Sequence, residues 1–170
     1  MSIRIQLFGP VRVRRGREHL LLRGVFRRAI VARLALTPGE PVTTAELVDA
    51  LWGEPPSAAV SSLRAQVSRL RQGGLGSHIV GGRGGYLLEP AGVEIDAERL
   101  ARLGESLSRL GESGVLGSPA WGAGFWAGVP LADLDGFPFV GPARARLQRL
   151  REVSIERYAE RRLAAGAARE

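Results

Sequence analysis

Residues 55–88 decide the fold, and they read PPSAAVSSLRAQVSRLRQGGLGSHIVGGRGGYLL. The prolines at the start give a rigid entry to a helix, because proline is tolerated in a first helical turn. Gly73-Gly74 is a stop signal for that helix. The stretch therefore predicts an amphipathic helix between these two signals. Its apolar stripe follows helical spacing and consists of Val60, Leu63, Val67 and Leu70.

The last third of the same stretch predicts a β-hairpin. Two short apolar segments, Ile79-Val80 and Tyr86-Leu87-Leu88, flank the tip Gly81-Gly82-Arg83-Gly84-Gly85. Glycines permit the tight turn that joins two antiparallel strands. The predicted hairpin therefore has a glycine-rich tip whose single charge is Arg83.

The residues before this stretch predict a small sheet and two further helices. Alternating apolar and polar residues predict short strands within residues 3–7, 11–13 and 19–22. Helical spacing predicts a first helix over residues 25–36 and a second one from Thr44 to Trp52. The order sheet, helix, helix, helix, hairpin over about 90 residues is that of a winged helix-turn-helix, in which the third helix enters the major groove of DNA.

The positive charge of the chain lies in its first half. Residues 1–90 hold 13 arginines against six acidic residues, whereas residues 91–170 hold 11 of each. The formal net charge of +7 is therefore carried by the N-terminal half. Such an excess favours a polyanionic partner, and double-stranded DNA suits the predicted fold.

The composition also excludes several classes of site. The chain has no cysteine, so it has no disulfide framework, thiolate nucleophile or cysteine zinc site. His19 and His78 are the only histidines, too few for a multi-histidine metal site. Acidic pairs such as Asp133 and Asp135 lie in a proline- and glycine-rich segment without a partner base. We therefore expect no enzyme activity, no cofactor and no bound metal.

The side of the predicted third helix opposite its apolar stripe suits contact with DNA. Small residues let a helix lie deep in the groove, hydroxyl and amide groups bond base edges or phosphates, and arginine matches two acceptors of guanine. For Arg71 a structural pair inside the protein is the alternative. The candidate DNA-binding residues of this helix are Ser61, Arg64, Ala65, Ser68, Arg69, Arg71 and Gln72.

Four further residues outside this helix are candidates for DNA contact. Arg83 at the hairpin tip is expected at the phosphate backbone or in the minor groove. Arg27 and Arg28 on the first helix are candidates for phosphate contacts, and the alternative is that they keep that helix soluble. Thr44, together with Thr43, is expected to cap the second helix, whose N-terminus is also a place where a phosphate binds.

A change of composition at residues 89–92 predicts a domain boundary, which divides the chain into residues 1–90 and 91–170. The second part has a helical pattern with two apolar stripes. Between the stripes, Trp121 to Trp126 predict a short or distorted helix, and residues 128–142 predict a loop. The stripes are Leu100, Leu103, Leu107 and Leu110, and then Leu147, Leu150, Val153 and Tyr158.

Several spaced motifs resemble a known class of winged-helix proteins. The segments Leu47–Gly53, Leu63–Arg71 and Gly85–Leu88 resemble the OmpR/PhoB-type winged helix. The segments Ile5–Val13 and Arg28–Leu36 narrow the resemblance to the AfsR/SARP regulators of antibiotic pathways. The resemblance covers nearly all of the first predicted domain.

The second part of the chain is similar to a further module of that family. Residues 126–134 and 145–151 resemble the early part of its bacterial transcriptional activation domain, a helical tetratricopeptide-like module. The resemblance implies an α+β winged helix-turn-helix followed by a second, all-α, tetratricopeptide-like domain that is truncated. It also implies a sequence-specific, double-stranded DNA-binding transcriptional activator of pathway genes, which acts at direct repeats near promoters and contacts RNA polymerase.

Other interpretations of the chain stay open at this point. One alternative is a helical protein-interaction module whose DNA binding is vestigial. Since a truncated helical array leaves an apolar face uncovered, we expect that face to pack on the winged helix or to pair two copies in a homodimer. The N-terminus lacks the pattern of a secretion signal and no segment reaches membrane-spanning length, so we expect no membrane contact and a cytoplasmic location.

Overall fold

The computed structural model describes residues 2–109 and 128–167. No helix within these two ranges is long and apolar enough to cross a membrane. The helix predicted at Trp121–Trp126, and Leu110 of the first C-terminal stripe, lie outside the described residues. The elements in chain order are β1 (Ile3–Gln6), β2 (Arg12–Arg15), β3 (Glu18–Leu20), α1 (Val25–Ala35), β4 (Val42–Thr43), α2 (Thr44–Leu51), α3 (Ala59–Leu70), β5 (Ile79–Gly81), β6 (Gly85–Leu88), β7 (Val93–Ile95), α4 (Asp96–Arg109) and α5 (Val140–Ala167).

The strands form two small sheets. In the first sheet the order is β3-β2-β1-β7, with β1 antiparallel to β2 and parallel to β7. Ile3, Ile5 and Val13 are buried, as the apolar alternation predicts. In the second sheet the order is β4-β6-β5, and β5 with β6 forms the predicted hairpin, called the wing below. The sequence pattern does not predict β4 and β7, which form where β6 and β1 supply their hydrogen-bond partners.

Helix α1 lies at the centre of the hydrophobic core. Its residues Ala29, Ile30, Val31 and Leu34 have no exposed surface, and the helix contacts α2, α3 and β6. Burial of a Val, Leu or Ile side chain stabilises a fold by about 1.5–3 kcal/mol. The core around α1 therefore sets the position of α3 relative to the wing.

Helix α3 is confirmed, but its buried stripe is shifted by one residue at the start. Ala59 is buried, whereas the predicted core residue Val60 is 38% exposed. The reason is that four apolar residues spaced by three or four do not fix the phase of a helix at its first turn, where the entering chain decides which residue faces inward. The buried stripe is Ala59, Leu63, Val67 and Leu70.

The regular part of α3 ends at Leu70, and a wide π-type turn follows at Arg71–Leu75. The turn is closed by Gly74, whose φ of 106° lies in a region that favours glycine. The guanidinium of Arg15, on β2, donates a hydrogen bond to the carbonyl of Gly74. Arg71 and Gln72 therefore lie just past the regular helix, in a turn held by the first sheet.

The two C-terminal helices pack against each other. Leu100 and Leu147 are buried as predicted, whereas Val153 is 37% exposed and the neighbouring Ser154 is buried instead. The hydroxyl of Ser154 donates to the carbonyl of Leu150 at 2.7 Å, so its burial leaves no unpaired proton. The predicted loop is also shorter than residues 128–142, because α5 begins at Val140 and a proline is tolerated in its first turn.

The C-terminal part of the chain packs on the first 90 residues. Strand β7 pairs with β1, and α4 contacts both strands. The Asp96 carboxylate, at the start of α4, accepts backbone N–H bonds from Leu7 and Phe8 at 2.9–3.0 Å. The backbone N–H of Leu131 donates to the carbonyl of Leu7 at 3.0 Å. The packing of this part on the winged helix is therefore present, and the elements on both sides of residue 90 share one hydrophobic core. The division into two domains stays a prediction.

Candidate nucleic-acid interface

The exposed face of α3 carries the residues that the sequence analysis assigns to DNA. Each residue turns the helix by about 100°, which places Ser61, Ala65 and Ser68 opposite the buried stripe. These three residues are exposed, and so is Gln72 in the turn that follows α3. The hydroxyl of Ser61 donates to the carbonyl of Ala58 at 2.9 Å, so it offers only its acceptor side to a ligand.

Arg64 and Arg69 stand on opposite flanks of this exposed face. Both side chains are exposed, and neither makes a hydrogen bond or an ion pair within residues 2–109 and 128–167. A guanidinium without an internal partner keeps its planar fork available for two acceptors of a base or a phosphate. Both guanidinium groups are therefore accessible to an anionic ligand.

Arg71 makes contacts inside the protein. Its Nε donates to the carbonyl of Ile79 at 2.9 Å, and its Nη2 donates to the carbonyl of Gly81 at 2.8 Å. The guanidinium carbon lies 5.6 Å from the centre of the Tyr86 ring, which is a cation–π distance. The structural alternative that the sequence leaves open for Arg71 is therefore present in the structure, and a DNA contact by this residue stays a prediction.

The tip of the wing contacts the start of α2. Arg83 is exposed, and its own carbonyl accepts a hydrogen bond from the Thr44 hydroxyl at 3.0 Å. The backbone N–H of Thr44 donates to the carbonyl of Gly84 at 3.2 Å. Gly85 passes close to β4, where an added Cβ would collide with the carbonyl oxygen of Val42. The wing tip thus presents the Arg83 side chain while its backbone is tied to the protein.

The N-terminus of α2 is closed by a capping box. The Thr43 hydroxyl oxygen accepts the backbone N–H of Glu46 at 3.1 Å, and the Glu46 carboxylate accepts the backbone N–H of Thr43 at 2.7 Å. The hydrogen bonds from the backbone and then the side chain of Thr43 lower the pKa of Glu46 below its ordinary value. Thr43 is therefore the predicted cap. Thr44 is not a cap, because its hydroxyl donates to the wing.

Arg28 forms an ion pair with a residue of the C-terminal part. Its Nε lies 2.5 Å from Oδ2 of Asp133, and the two side chains are 29% and 23% exposed. The other carboxylate oxygen of Asp133 accepts the backbone N–H of Val11 at 2.8 Å. Arg27 is half-buried, and its Nε has no hydrogen-bond partner in the described part of the chain. Phosphate contacts by Arg27 and Arg28 stay predictions, and for Arg28 the ion pair is a competitor.

Sequence reasoning misses the residues that join the two parts of the chain. Asp96 and Asp133, of the second part, accept backbone N–H groups of the β1–β2 connection in the first part. The only local signal for such a contact is an aspartate at the end of a short apolar segment. That signal is ambiguous, because an aspartate in this position usually marks the start of a helix. Its partners are distant in sequence and leave no trace in the local pattern.

Part of the N-terminal positive charge is carried by the first sheet. Arg4, Arg12 and Arg14 are exposed on its solvent face. Arg4 is paired with Glu94 of β7 at 2.8 Å. The charge excess of the first 90 residues is therefore not confined to the α3 face and the wing.

The fold and this face define a winged-helix protein. No family model matches the chain. The chain is 33% identical over 162 residues to the "Regulatory protein AfsR" of Streptomyces griseus, a match that covers 88% of this chain and 16% of that protein. It is 31% identical over 155 residues to the "Regulatory protein DnrI" of Streptomyces peucetius, covering 82% of this chain and 57% of that one.

A third relative and one solved structure agree with these two. The "Transcriptional regulator RedD" of Streptomyces coelicolor is 30% identical over 146 residues, which cover 77% of this chain and 41% of that protein. The structure of Mycobacterium tuberculosis EmbR in complex with a low-affinity phosphopeptide matches with a TM-score of 0.81 at 26% identity, over 97% of this chain and 46% of that one. The chain belongs to the AfsR/SARP family. It spans between 16% and 57% of the length of these three curated relatives.

Proposed function

We propose that this chain is a sequence-specific, double-stranded DNA-binding regulator of transcription. The observation that carries the proposal is the exposed face of α3, where small and polar residues lie between Arg64 and Arg69, two arginines without a partner among the described residues. The relatives are named regulatory proteins and a transcriptional regulator, which supports the same function.

The proposed DNA contacts divide between the two grooves. Ala65 lets α3 lie deep in the major groove, and Ser68 and Gln72 reach base edges or phosphates. Arg64 and Arg69 bind guanine or phosphate on either side. Arg83 enters the minor groove or meets the backbone beside it. This division assigns base readout to α3 and general affinity to the wing.

The remaining parts of the proposal concern the helical half and the partners. In this proposal α4 and α5 begin a tetratricopeptide-like activation module, and the chain activates pathway genes at direct repeats near promoters by contacting RNA polymerase. It is not an enzyme, it acts in the cytoplasm where a bacterial chromosome lies, and two copies associate as a homodimer. Support comes from the resemblance of residues 126–134 and 145–151 to that module.

Selection of binding sequences from a random duplex pool tests this function. We expect one preferred motif, and footprints on two tandem copies of it. Affinity should fall steeply with salt, with a slope near −0.9 for each phosphate neutralised, because bound counterions are released. A failure to select any motif, or affinity that does not change with salt, would contradict the proposal and favour the helical protein-interaction module.

Two arginine substitutions then test the assigned face. Arg64→Ala and Arg69→Ala should each weaken binding to the selected motif by about 1–3 kcal/mol if they bind a base, and relax preference at one position. Arg149→Ala, an exposed arginine of α5, removes the same charge from the other half of the chain and is the matched control. Equal losses for all three variants would show that only net charge matters.

A further inference from the structure

We propose that Arg71 and Thr44 are positioning residues, which hold the wing in a set place relative to α3 before DNA is bound. This inference rests on the proposed function, since it assigns the wing to DNA. Arg71 lies directly after α3 and Thr44 is the first residue of α2. Each donates hydrogen bonds to carbonyl groups of the wing, from opposite sides of it.

Arg71 donates to carbonyl groups of β5, which is the edge strand of its sheet in the part of the chain that the structure describes. The carbonyl of His78 accepts the N–H of Glu89, just past β6, and the N–H of Gly82 donates to the carbonyl of Gly85 on β6. Because backbone groups alternate in direction along a strand, the carbonyls of Ile79 and Gly81 point out of the sheet at its edge. These are the two carbonyls that the Arg71 guanidinium bonds, at 2.9 and 2.8 Å.

The shape of the arginine head group explains why this residue fits the position. Its N–H groups form a planar fork that bonds two acceptors at once, whereas a lysine ammonium is a point charge. The two acceptors belong to alternate residues of one strand, so the fork fixes the direction of β5 as well as its distance from α3. The nearby Tyr86 ring, on β6, stabilises the same cation.

Thr44 holds the tip of the wing. Its hydroxyl and its backbone N–H donate to the carbonyls of Arg83 and Gly84. These two residues form the exposed tip, and glycine on either side of Arg83 provides no side chain to hold it. The Thr44 contacts therefore set where the Arg83 side chain leaves the protein surface.

The physical consequence is a lower entropic cost of DNA binding. A glycine-rich loop has more conformational freedom to lose than other sequences, and ordering it on binding reduces affinity. Contacts that order the wing in the free protein remove that cost beforehand. Arg71 thus supports the DNA contact of Arg83 without touching DNA itself.

Hydrogen exchange of the free, full chain tests, without DNA, whether the Arg71 and Thr44 contacts hold the wing. We expect Arg71→Met and Thr44→Val each to speed exchange of the Gly82 amide by at least about tenfold. Amides of α1 should keep their wild-type rates, which shows that the variants are folded. Arg69→Met, with no contact to the wing, is the control. Wild-type exchange at Gly82 in both folded variants would overturn the proposal.

A further variant covers the case in which Arg71→Met fails to fold. Arg71→Lys keeps the charge and the aliphatic stem but lacks the fork. We expect it to leave α1 protected and to speed exchange at Gly82, whereas wild-type exchange at Gly82 would show that the charge alone holds the wing and overturn the role of the fork.

Affinity for the selected motif separates positioning from direct contact. In the wild-type background we expect Arg83→Ala to weaken binding about tenfold, and in the Arg71→Met background by less than about threefold, because residues of one network do not contribute independently. If Arg83→Ala instead weakens binding about tenfold in both backgrounds, the two residues act independently, and Arg71 contacts DNA itself. If the wild-type chain binds no duplex, the proposed function fails. The exchange rates alone then still show whether Arg71 and Thr44 hold the wing in place.

Discussion

Asp133→Ala should lower the free energy of unfolding by about 2–5 kcal/mol, although the residue lies in a surface connection. Asp133 performs two tasks, since one carboxylate oxygen accepts the backbone N–H of Val11 at 2.8 Å and the other lies 2.5 Å from Nε of Arg28. The substitution leaves the Val11 N–H unpaired, and the Arg28 guanidinium keeps only its hydrogen bond from Nη1 to the carbonyl of Leu22 at 3.3 Å within the described residues. The side chains of Arg28 and Asp133 are 29% and 23% exposed.

The magnitude follows from these two losses. An unsatisfied buried backbone N–H costs about 1–3 kcal/mol. Breaking a fully buried ion pair costs about 3–5 kcal/mol, and an exposed pair contributes about 0–1 kcal/mol. With a quarter of each side chain exposed, the ionic loss lies between these limits, at about 1–2 kcal/mol. The two losses together give the expected range.

Asp135→Ala is the matched control, two residues further along. Asp135 also pairs with an arginine, Arg144 at 2.7 Å, but its side chain is 75% exposed. Arg144 keeps its bond to the carbonyl of Pro130 when Asp135 is removed. We therefore expect a loss below about 1 kcal/mol for the control.

Urea unfolding at neutral pH, followed by circular dichroism, measures both variants with the wild type. The difference in midpoint gives the loss of stability as long as the slope with urea is unchanged. A double-mutant cycle with Arg28→Met isolates the ion pair, and we expect a coupling energy of at least about 1 kcal/mol. Equal losses for Asp133→Ala and Asp135→Ala would refute the reasoning.

Three further predictions concern the winged helix. Burial and then the positive charge of Arg15 lower the pKa of His78 below its ordinary 6.5. The unfolded chain therefore binds the His78 proton more tightly than the folded chain does, and the free energy of unfolding should fall as the pH is lowered through 6.5. Melting temperatures between pH 7.5 and 5.5 measure this, and His78→Gln should flatten the slope. Gly85→Ala should cost about 1–3 kcal/mol because its Cβ meets backbone atoms of β4, whereas Gly84→Ala, with no atom in its way, should be nearly neutral in the same urea assay. Thr43→Ala removes the cap of α2 and should cost about 1 kcal/mol in thermal unfolding, and an unchanged melting temperature would contradict that role.

The local elements follow closely from the sequence. Apolar alternation predicts the first three strands, helical spacing predicts α1, α2 and α3, and the glycine-rich segment predicts the wing. The same spacing predicts the exposed face of α3, because a stripe of buried residues defines its opposite side. These patterns repeat every two or three to four residues, so they can be read without knowledge of the partner surface.

The errors at this level come from the ends of elements. Val60 is exposed and Ala59 is buried, since the entering chain sets the phase of the first turn. Strands β4 and β7 exist only because β6 and β1 supply their hydrogen-bond partners. In both cases the deciding contact comes from another element.

The sequence by itself determined the class of fold, the amphipathic third helix and the arginines that are candidates for DNA contact. Only the tertiary structure decided which of those arginines have partners inside the protein. Arg28 meets Asp133 and Arg71 meets the wing, whereas Arg64 and Arg69 have no partner in the described ranges. The physical reason is that helical and strand periodicities are local, while the distance between two charges depends on how elements pack. Val11 and Asp133 are joined by a hydrogen bond across 122 positions, and no pattern within either segment encodes that contact.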